Sequence, residues 1–421
     1  MKTWLTYLAA AAMGLAFELT FKDSYIFVSS MNFMAGAVLK LGVFLVFPLA
    51  FFTMASGTAS LSRRRGRTSF VCLSTVFWAI LTSLLLSVAA ALIFRLYPAA
   101  FPITSTTPKT ADQYSGLYRS LSSSTASRLV AANPLTFNAF LNFIKSGDCL
   151  LPVILLALIL GYAVRPTNEV IRPAYITLNS ISEAMFRLAK LIARFLWFCI
   201  FFLAGAWFHA LREDRSVFYS FRFIFMCLLT TLLILFAVLP LIYAIATGFK
   251  RNPYRQLMRL ISAAVASFFS VNYLFSQCTL YTDCRTNLGI HKNVVSTALP
   301  LHSILTKGGS ALISTMSTCS LVYALSGSMP TILQTITIAF ACTLVSFIAC
   351  LHAGYEVVFI VTFAIGLLEV DMGGAQFSLI GLIPFLNGIA LMFDILLAGL
   401  GTSFTACHLK ADCNIVDKDV V

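Results

Sequence analysis

Residues Ser296–Ile313 read STALPLHSILTKGGSALI, an apolar run broken at its centre by Thr306-Lys307-Gly308-Gly309-Ser310. Two adjacent glycines weaken a helix, and lipid tails do not solvate the charge of a lysine. Such a break is stable at membrane depth only where the freed backbone faces protein or a water-filled cavity. Discontinuous helices are where secondary transporters hold solutes and coupling ions. The segment therefore decides the fold class and is also the first candidate site.

The composition agrees. Of 421 residues, 59% are hydrophobic and 11% charged, whereas soluble domains carry about a quarter charged residues. Apolar stretches of roughly 20 residues, the length of a bilayer-spanning helix, recur along nearly the whole chain and leave no room for a large soluble domain. The net charge of +13 comes with no large basic domain. It reads as basic cytoplasmic loops, with no nucleic-acid partner. The 11 cysteines stand singly, without metal-ligand or redox spacing, and read as small buried hydrophobes. There is no nucleophile–base arrangement, phosphate loop or metal motif, so neither an enzyme nor a cofactor-dependent protein is expected.

Outward from the break, the N-terminal run Leu5–Ala16 is expected as a first span, about residues 4–19, rather than a signal peptide. Spans at about 33–59 and 70–96 flank Ser62-Arg63-Arg64-Arg65-Gly66-Arg67, a loop that the positive-inside rule places in the cytoplasm. An anionic-lipid site is the alternative use of those arginines. A Ser/Thr-rich polar loop, residues 102–133, falls outside the cytoplasm and reads as a connector. Apolar structure resumes over 137–164. A basic amphipathic stretch, 165–194, then leads into a span ending near Ala210. The next span, about 221–247, ends in Lys250, Arg251, Arg255 and Arg259.

Beyond that point the spans become irregular. Residues 260–280 are interrupted by Ser270, Asn272, Ser276, Gln277 and Thr279, with a polar elbow at Thr282-Asp283-Cys284-Arg285. Residues 332–368 are interrupted at His352-Ala353-Gly354-Tyr355-Glu356. Both patterns suit segments that enter the membrane and return on the same side. The last span carries Asp394 in apolar surroundings. An interrupted hairpin followed by a span with a polar centre occurs twice, the pattern of an inverted repeat.

Four local patterns fall in one order. They are Val38-Leu39-Lys40-Leu41 with Pro48 and a closing Gly57–Ser60; GDCLLPVILLALILG over Gly147–Gly161; Ala298-Leu299-Pro300-Leu301; and Gly309-Ser310-Ala311-Leu312. This order resembles the dicarboxylate/amino acid:cation symporter family, the glutamate-transporter-like elevator transporters, over nearly the whole chain. The resemblance implies an all-α polytopic membrane protein with eight transmembrane helices and two re-entrant helical hairpins. Residues 1–250 would mostly form scaffold and trimerisation spans. Residues 251–421 would form a transport core: a hairpin at about 257–290, the broken helix at about 294–326, a second hairpin at about 332–370 and a last span at about 378–408. It also implies a homotrimer in the cytoplasmic (inner) membrane that carries a small anionic or zwitterionic solute, an amino acid or dicarboxylate, by an elevator movement.

By the same resemblance, the solute would sit between two hairpin tips, Tyr273, Leu274 and Phe275 on one side and His352, Ala353, Tyr355 and Glu356 on the other. Ser276, Lys307, Gly308, Gly309, Ser310, Gly354 and Asp394 would line it. Where the family carries Asn-Met-Asp-Gly-Thr to coordinate sodium, this chain has Thr306–Ser310. A hydroxyl replaces the carboxamide, a glycine removes the carboxylate and an ammonium is added, which repels a cation. Lys307 either supplies in place the charge that a bound ion would bring, or it snorkels or pairs with a structural carboxylate such as Asp394. Sodium or a proton remains as the coupling ion. The family reads a substrate amino group with an aspartate, here Asp394, and a side-chain carboxylate with an arginine three residues on, here Leu397. His302, His352 and His408 lie in or near these helices, as proton relays or as satisfied interior residues. The rival class is a non-transporting membrane protein, a receptor or assembly partner, that kept the fold and lost these sites.

Overall fold

A computed structural model describes residues 3–21, 24–62, 67–101, 150–166, 169–213, 220–349, 354–368 and 375–411. All its elements are helical: α1 (Thr3–Thr20), α2 (Tyr25–Ser62), α3 (Arg67–Leu96), α4 (Leu151–Ala163), α5 (Arg172–Glu213) and α6 (Phe221–Ala246). A π-helical turn, Ile234–Val238, interrupts α6. There follow α7 (Pro253–Arg259), α8 (Ile261–Ser270), α9 (Gln277–Thr286), α10 (Lys292–Leu305), α11 (Gly308–Ser326), α12 (Ile332–Ser346) and α13 (Glu356–Leu367). A 3-10 segment, Ala375–Leu382, leads into α14 (Ile383–His408). The polar loop at 102–133 lies outside the described residues.

Five helices among the described residues are long and apolar enough to cross a membrane: α2, α3, α5, α6 and the last, Leu379–His408. All five exceed the thickness of the hydrocarbon, and two of them, α2 and α5, exceed it the most. At 1.5 Å per residue, the 38 residues of α2 extend about 57 Å, against about 30 Å of hydrocarbon. From Arg172 on, the amphipathic stretch and the span after it are one 42-residue helix, α5. The physical reason is that nothing after Pro173 stops it: the run contains no further proline and only Gly205, so a basic first half continues straight into an apolar second half.

Helix α14 lies at the centre. Of its apolar stretch 72% is buried, against 22% for α2. It packs on α3, α8, α10, α11 and α13, while α2 packs on α4, α5 and α10. The indole of Trp78 on α3 donates to Leu397 O at 3.0 Å, and Ser74 and Thr405 share a hydrogen bond of 3.1 Å. Gly57 on α2 faces α10, where an added Cβ would stand 2.6 Å from Thr297 Oγ1. Small residues let backbones approach closely where helices meet in lipid. That is the physical content of the glycine in the Gly57–Ser60 pattern.

The two interrupted stretches form hairpins. The first pairs α8 with α9 around 271–276, where Val271 takes a left-handed φ of +49°. Thr282–Arg285 form no elbow but sit inside α9. Asp283 accepts from Ser262 Oγ at 2.7 Å, from Ala263 N at 3.3 Å and from Asn287 Nδ2 at 2.9 Å. The acidic residue is there because the start of α8 needs an acceptor for its free N–H groups. The second hairpin pairs α12 with α13, and α12 begins with a reciprocal cap between Thr331 and Gln334.

Candidate functional site

Helices α10 and α11 meet at Thr306 and Lys307, and the break leaves both helix ends in the protein interior. At the end of α10, Thr306 N and Oγ1 both donate to His302 O, at 2.9 and 2.5 Å. At the start of α11 the free N–H groups need an acceptor, and α14 supplies it. Asp394 Oδ1 accepts from Gly309 N at 2.7 Å and from Ser310 N at 3.2 Å, and Oδ2 accepts from Ser310 Oγ at 2.5 Å. The carboxylate thus caps α11 from a different helix, where the helix dipole favours negative charge. Gly309 makes the approach possible, since an added Cβ would clash with Ala390 O and Phe393 of α14.

Lys307 is wholly buried. Its Nζ lies 3.7 Å from Asp394 Oδ2 and 4.0 Å above the centre of the Tyr273 ring, a cation–π contact from the first hairpin tip. It makes no hydrogen bond. From the second hairpin, Glu356 at the start of α13 is also wholly buried, with Lys307 and Asp394 as its charged neighbours. Glu356 Oε2 accepts from Gly354 N at 2.9 Å, while Oε1 has no hydrogen-bond partner among the described residues. One buried ammonium and two buried carboxyl groups therefore converge from the broken helix, the last span and the second hairpin.

The other expected site residues are placed differently. Ser276 is buried but turns back into its own loop, donating to Tyr273 O at 3.0 Å. Leu274 and Phe275 are buried, and Phe275 lies against Gly42 of α2 rather than over Lys307. Tyr355 is 46% exposed and does not cover the site. An added Cβ at Gly308 would stand 2.7 Å from Leu397 Cδ1, so leucine fills the place where the resemblance puts an arginine. His302 is an interior residue, its Nε2 3.2 Å from Thr405 Oγ1 and 3.4 Å from Thr75 Oγ1. His408 Nδ1 lies 3.0 Å from Phe404 O, one turn back on its own helix. His352 and Ala353 lie outside the described residues.

Two residues outside the expected site set, Asn387 and Gln277, the latter noted in the sequence only as an interruption, hold the tips in place. Asn387 Nδ2 donates to Gly354 O, and its Oδ1 accepts from Val357 N at 3.0 Å, tying the second tip to α14. Gln277 donates to Tyr273 O at 3.2 Å and accepts from Ser303 Oγ at 2.8 Å, tying the first tip to α10. Asn387 carried a signal: it stands seven residues before Asp394, on the same face of an apolar helix.

A hard cation needs several free oxygen ligands. At this break both Asp394 oxygens are taken by α11, Thr306 Oγ1 by His302, and an ammonium stands 3.7 Å away. The residues at 306–310 do not fit sodium.

The model of the sodium:dicarboxylate symporter family matches residues 3–395, from α1 through Asp394. The chain belongs to this family. No curated protein matches it. As a member of the sodium:dicarboxylate symporter family, it is a multi-pass membrane protein of a class that moves small solutes rather than transforming them. In this member of the family the helix is broken at Thr306 and Lys307 and two helical hairpins are present, with Lys307 and Leu397 at the positions that the resemblance gave to the sodium motif and to an arginine.

Proposed function

We propose that the chain is a secondary carrier of a small solute bearing a carboxylate, most simply a zwitterionic amino acid, moved across the cytoplasmic membrane by an elevator displacement of its C-terminal core. The observation that carries this reading is a pair of buried polar atoms without a hydrogen bond among the described residues, Lys307 Nζ and Glu356 Oε1. Leaving such groups unsatisfied costs about 1–3 kcal/mol each, and more for charged ones. Native folds keep them where a ligand or water uses them. A solute carboxylate against Lys307 and a solute ammonium against Glu356 satisfies both.

A dicarboxylate fits less well, because Leu397 offers its second carboxylate no bidentate partner. In this scheme Asp394 and Ser310 hold the broken helix, Gly354 and Asn387 set the second tip, and Tyr273 closes the first. Residues 251–421, joined by α3 that packs on them, form the moving core. The remaining spans form the scaffold of a homotrimer. Coupling runs through a proton or through exchange of solutes rather than through sodium at 306–310.

One observation favours a second reading, a fold-keeping receptor or assembly partner. Tyr273 and Phe275 close the first tip, at 0% and 2% exposure. Thermal stability and proteoliposome uptake across amino acids and dicarboxylates, each in sodium and in choline buffer, separate the two. The carrier reading expects a saturable stabilisation and uptake by one solute class in both buffers, abolished by Lys307→Met. Stabilisation that requires sodium would overturn the reading of the break. No shift and no uptake with the fold intact would establish the second reading.

A further inference from the structure

Away from the broken helix, a cavity of about 370 Å³ opens where the end of α2, the start of α3, the start of α10 and the end of α14 meet. Arg67, Lys410, His291, Asn293 and Ser60 supply its polar wall, over a floor that includes Leu61. No carboxylate is among the described residues that line it. The two cationic side chains come from segments far apart in the chain, Arg67 at the end of the arginine run and Lys410 just after α14.

The histidine is oriented. His291 Nδ1 accepts from Asn293 N at 3.3 Å, which in the neutral ring leaves the proton on Nε2 as a donor. His291 N donates to Ala411 O at 3.0 Å, fastening the chain beyond α14 to the start of α10. Just before Ala411, Lys410 takes a left-handed φ of +51°. A non-glycine residue rarely adopts that conformation.

We infer that this cavity binds a phosphoryl group of net negative charge carried on a small organic body, the headgroup of an anionic phospholipid or a soluble phosphate ester. A guanidinium, an ammonium and neutral N–H donors are the set that phosphate oxygens select. The volume suits a headgroup or ester, since pockets for small organic ligands occupy about 300–1,000 Å³. The apolar floor suits the carbon part. The occupant bridges α2 to the start of α10, across the boundary between the proposed scaffold and core.

The test uses the full chain in detergent. The probes are dihexanoyl phosphatidylglycerol, dihexanoyl phosphatidylcholine and glycerol 3-phosphate, with melting temperature and native mass spectrometry as readouts. The variant Arg67→Gln/Lys410→Gln changes only half-buried or exposed side chains and is expected to melt like the parent without probe. A saturable stabilisation by phosphatidylglycerol above that by phosphatidylcholine, at least about tenfold weaker in the variant and weakened by salt, supports a lipid occupant. The same behaviour with glycerol 3-phosphate alone supports a soluble one. Equal effects of the two lipids without a response to glycerol 3-phosphate would overturn the inference. So would no response to any probe, or shifts undiminished in the variant.

Discussion

Lys307 and Asp394 are buried side by side, and the reason lies in helix ends rather than in the charges alone. Asp394 satisfies three donors at the start of α11. Lys307 adds a counter-charge at 3.7 Å that makes no hydrogen bond. Removing one member of a buried pair costs about 3–5 kcal/mol, because the other is left uncompensated. Asp394→Asn is therefore expected to lower the melting temperature more than Lys307→Met, since it also places an amide against the N–H groups of Gly309 and Ser310. Scanning fluorimetry of the two variants checks the order. Lys307→Met with Glu356→Gln is expected to be less destabilised than the single effects sum to, because the carboxylate that loses its positive neighbour is itself removed. The Lys307–Asp394 pairing was legible in the sequence as one of two uses for the lysine. Glu356 was legible only as a tip residue, because hydropathy locates an interruption and not the direction in which its side chain points.

At the level of the elements, the positions of the breaks were legible and their internal geometry was not. The glycine pair at 308–309 marked the start of α11, and the polar residues at 270–276 marked the first tip. The error at Thr282–Arg285 came from equating polarity with a bend. Buried helix starts also demand polar partners, and Asp283 is one of them. The docking of α11 on α14 depends on Gly309, so Gly309→Ala is expected to cost at least the roughly 1–3 kcal/mol of an overpacked contact. Gly366→Ala in α13, where an added Cβ meets nothing within 4 Å among the described residues, is the control and is expected to be neutral or slightly stabilising. Asn387→Leu removes the partners of Gly354 O and Val357 N. It is expected to raise amide exchange at the start of α13 while leaving α8 and α9 protected, as hydrogen exchange followed by mass spectrometry would show.

For the whole molecule, the membrane class followed from composition, since so apolar a chain has no soluble alternative, and the all-α architecture followed from the family resemblance. Which helices cluster did not follow. The packing of α3 against the C-terminal core depends on contacts such as Trp78 to Leu397 O, joining residues 319 positions apart. No periodicity reports such a contact. Native mass spectrometry of the detergent-solubilised chain is expected to find three copies, and a monomer would remove the trimeric scaffold from the proposal.

The attachment of Lys307 to the chain also has a thermodynamic consequence. A positive charge that arrives as an ion carries a chemical potential set by its concentration on each side of the membrane, and a gradient does work through it. A positive charge that is part of the polypeptide has no concentration to differ between the two sides. It is neither loaded at one face nor released at the other, so it stabilises its neighbours without storing or delivering free energy. A carrier whose only cation at the break is Lys307 equilibrates its solute unless a second, exchangeable species enters elsewhere.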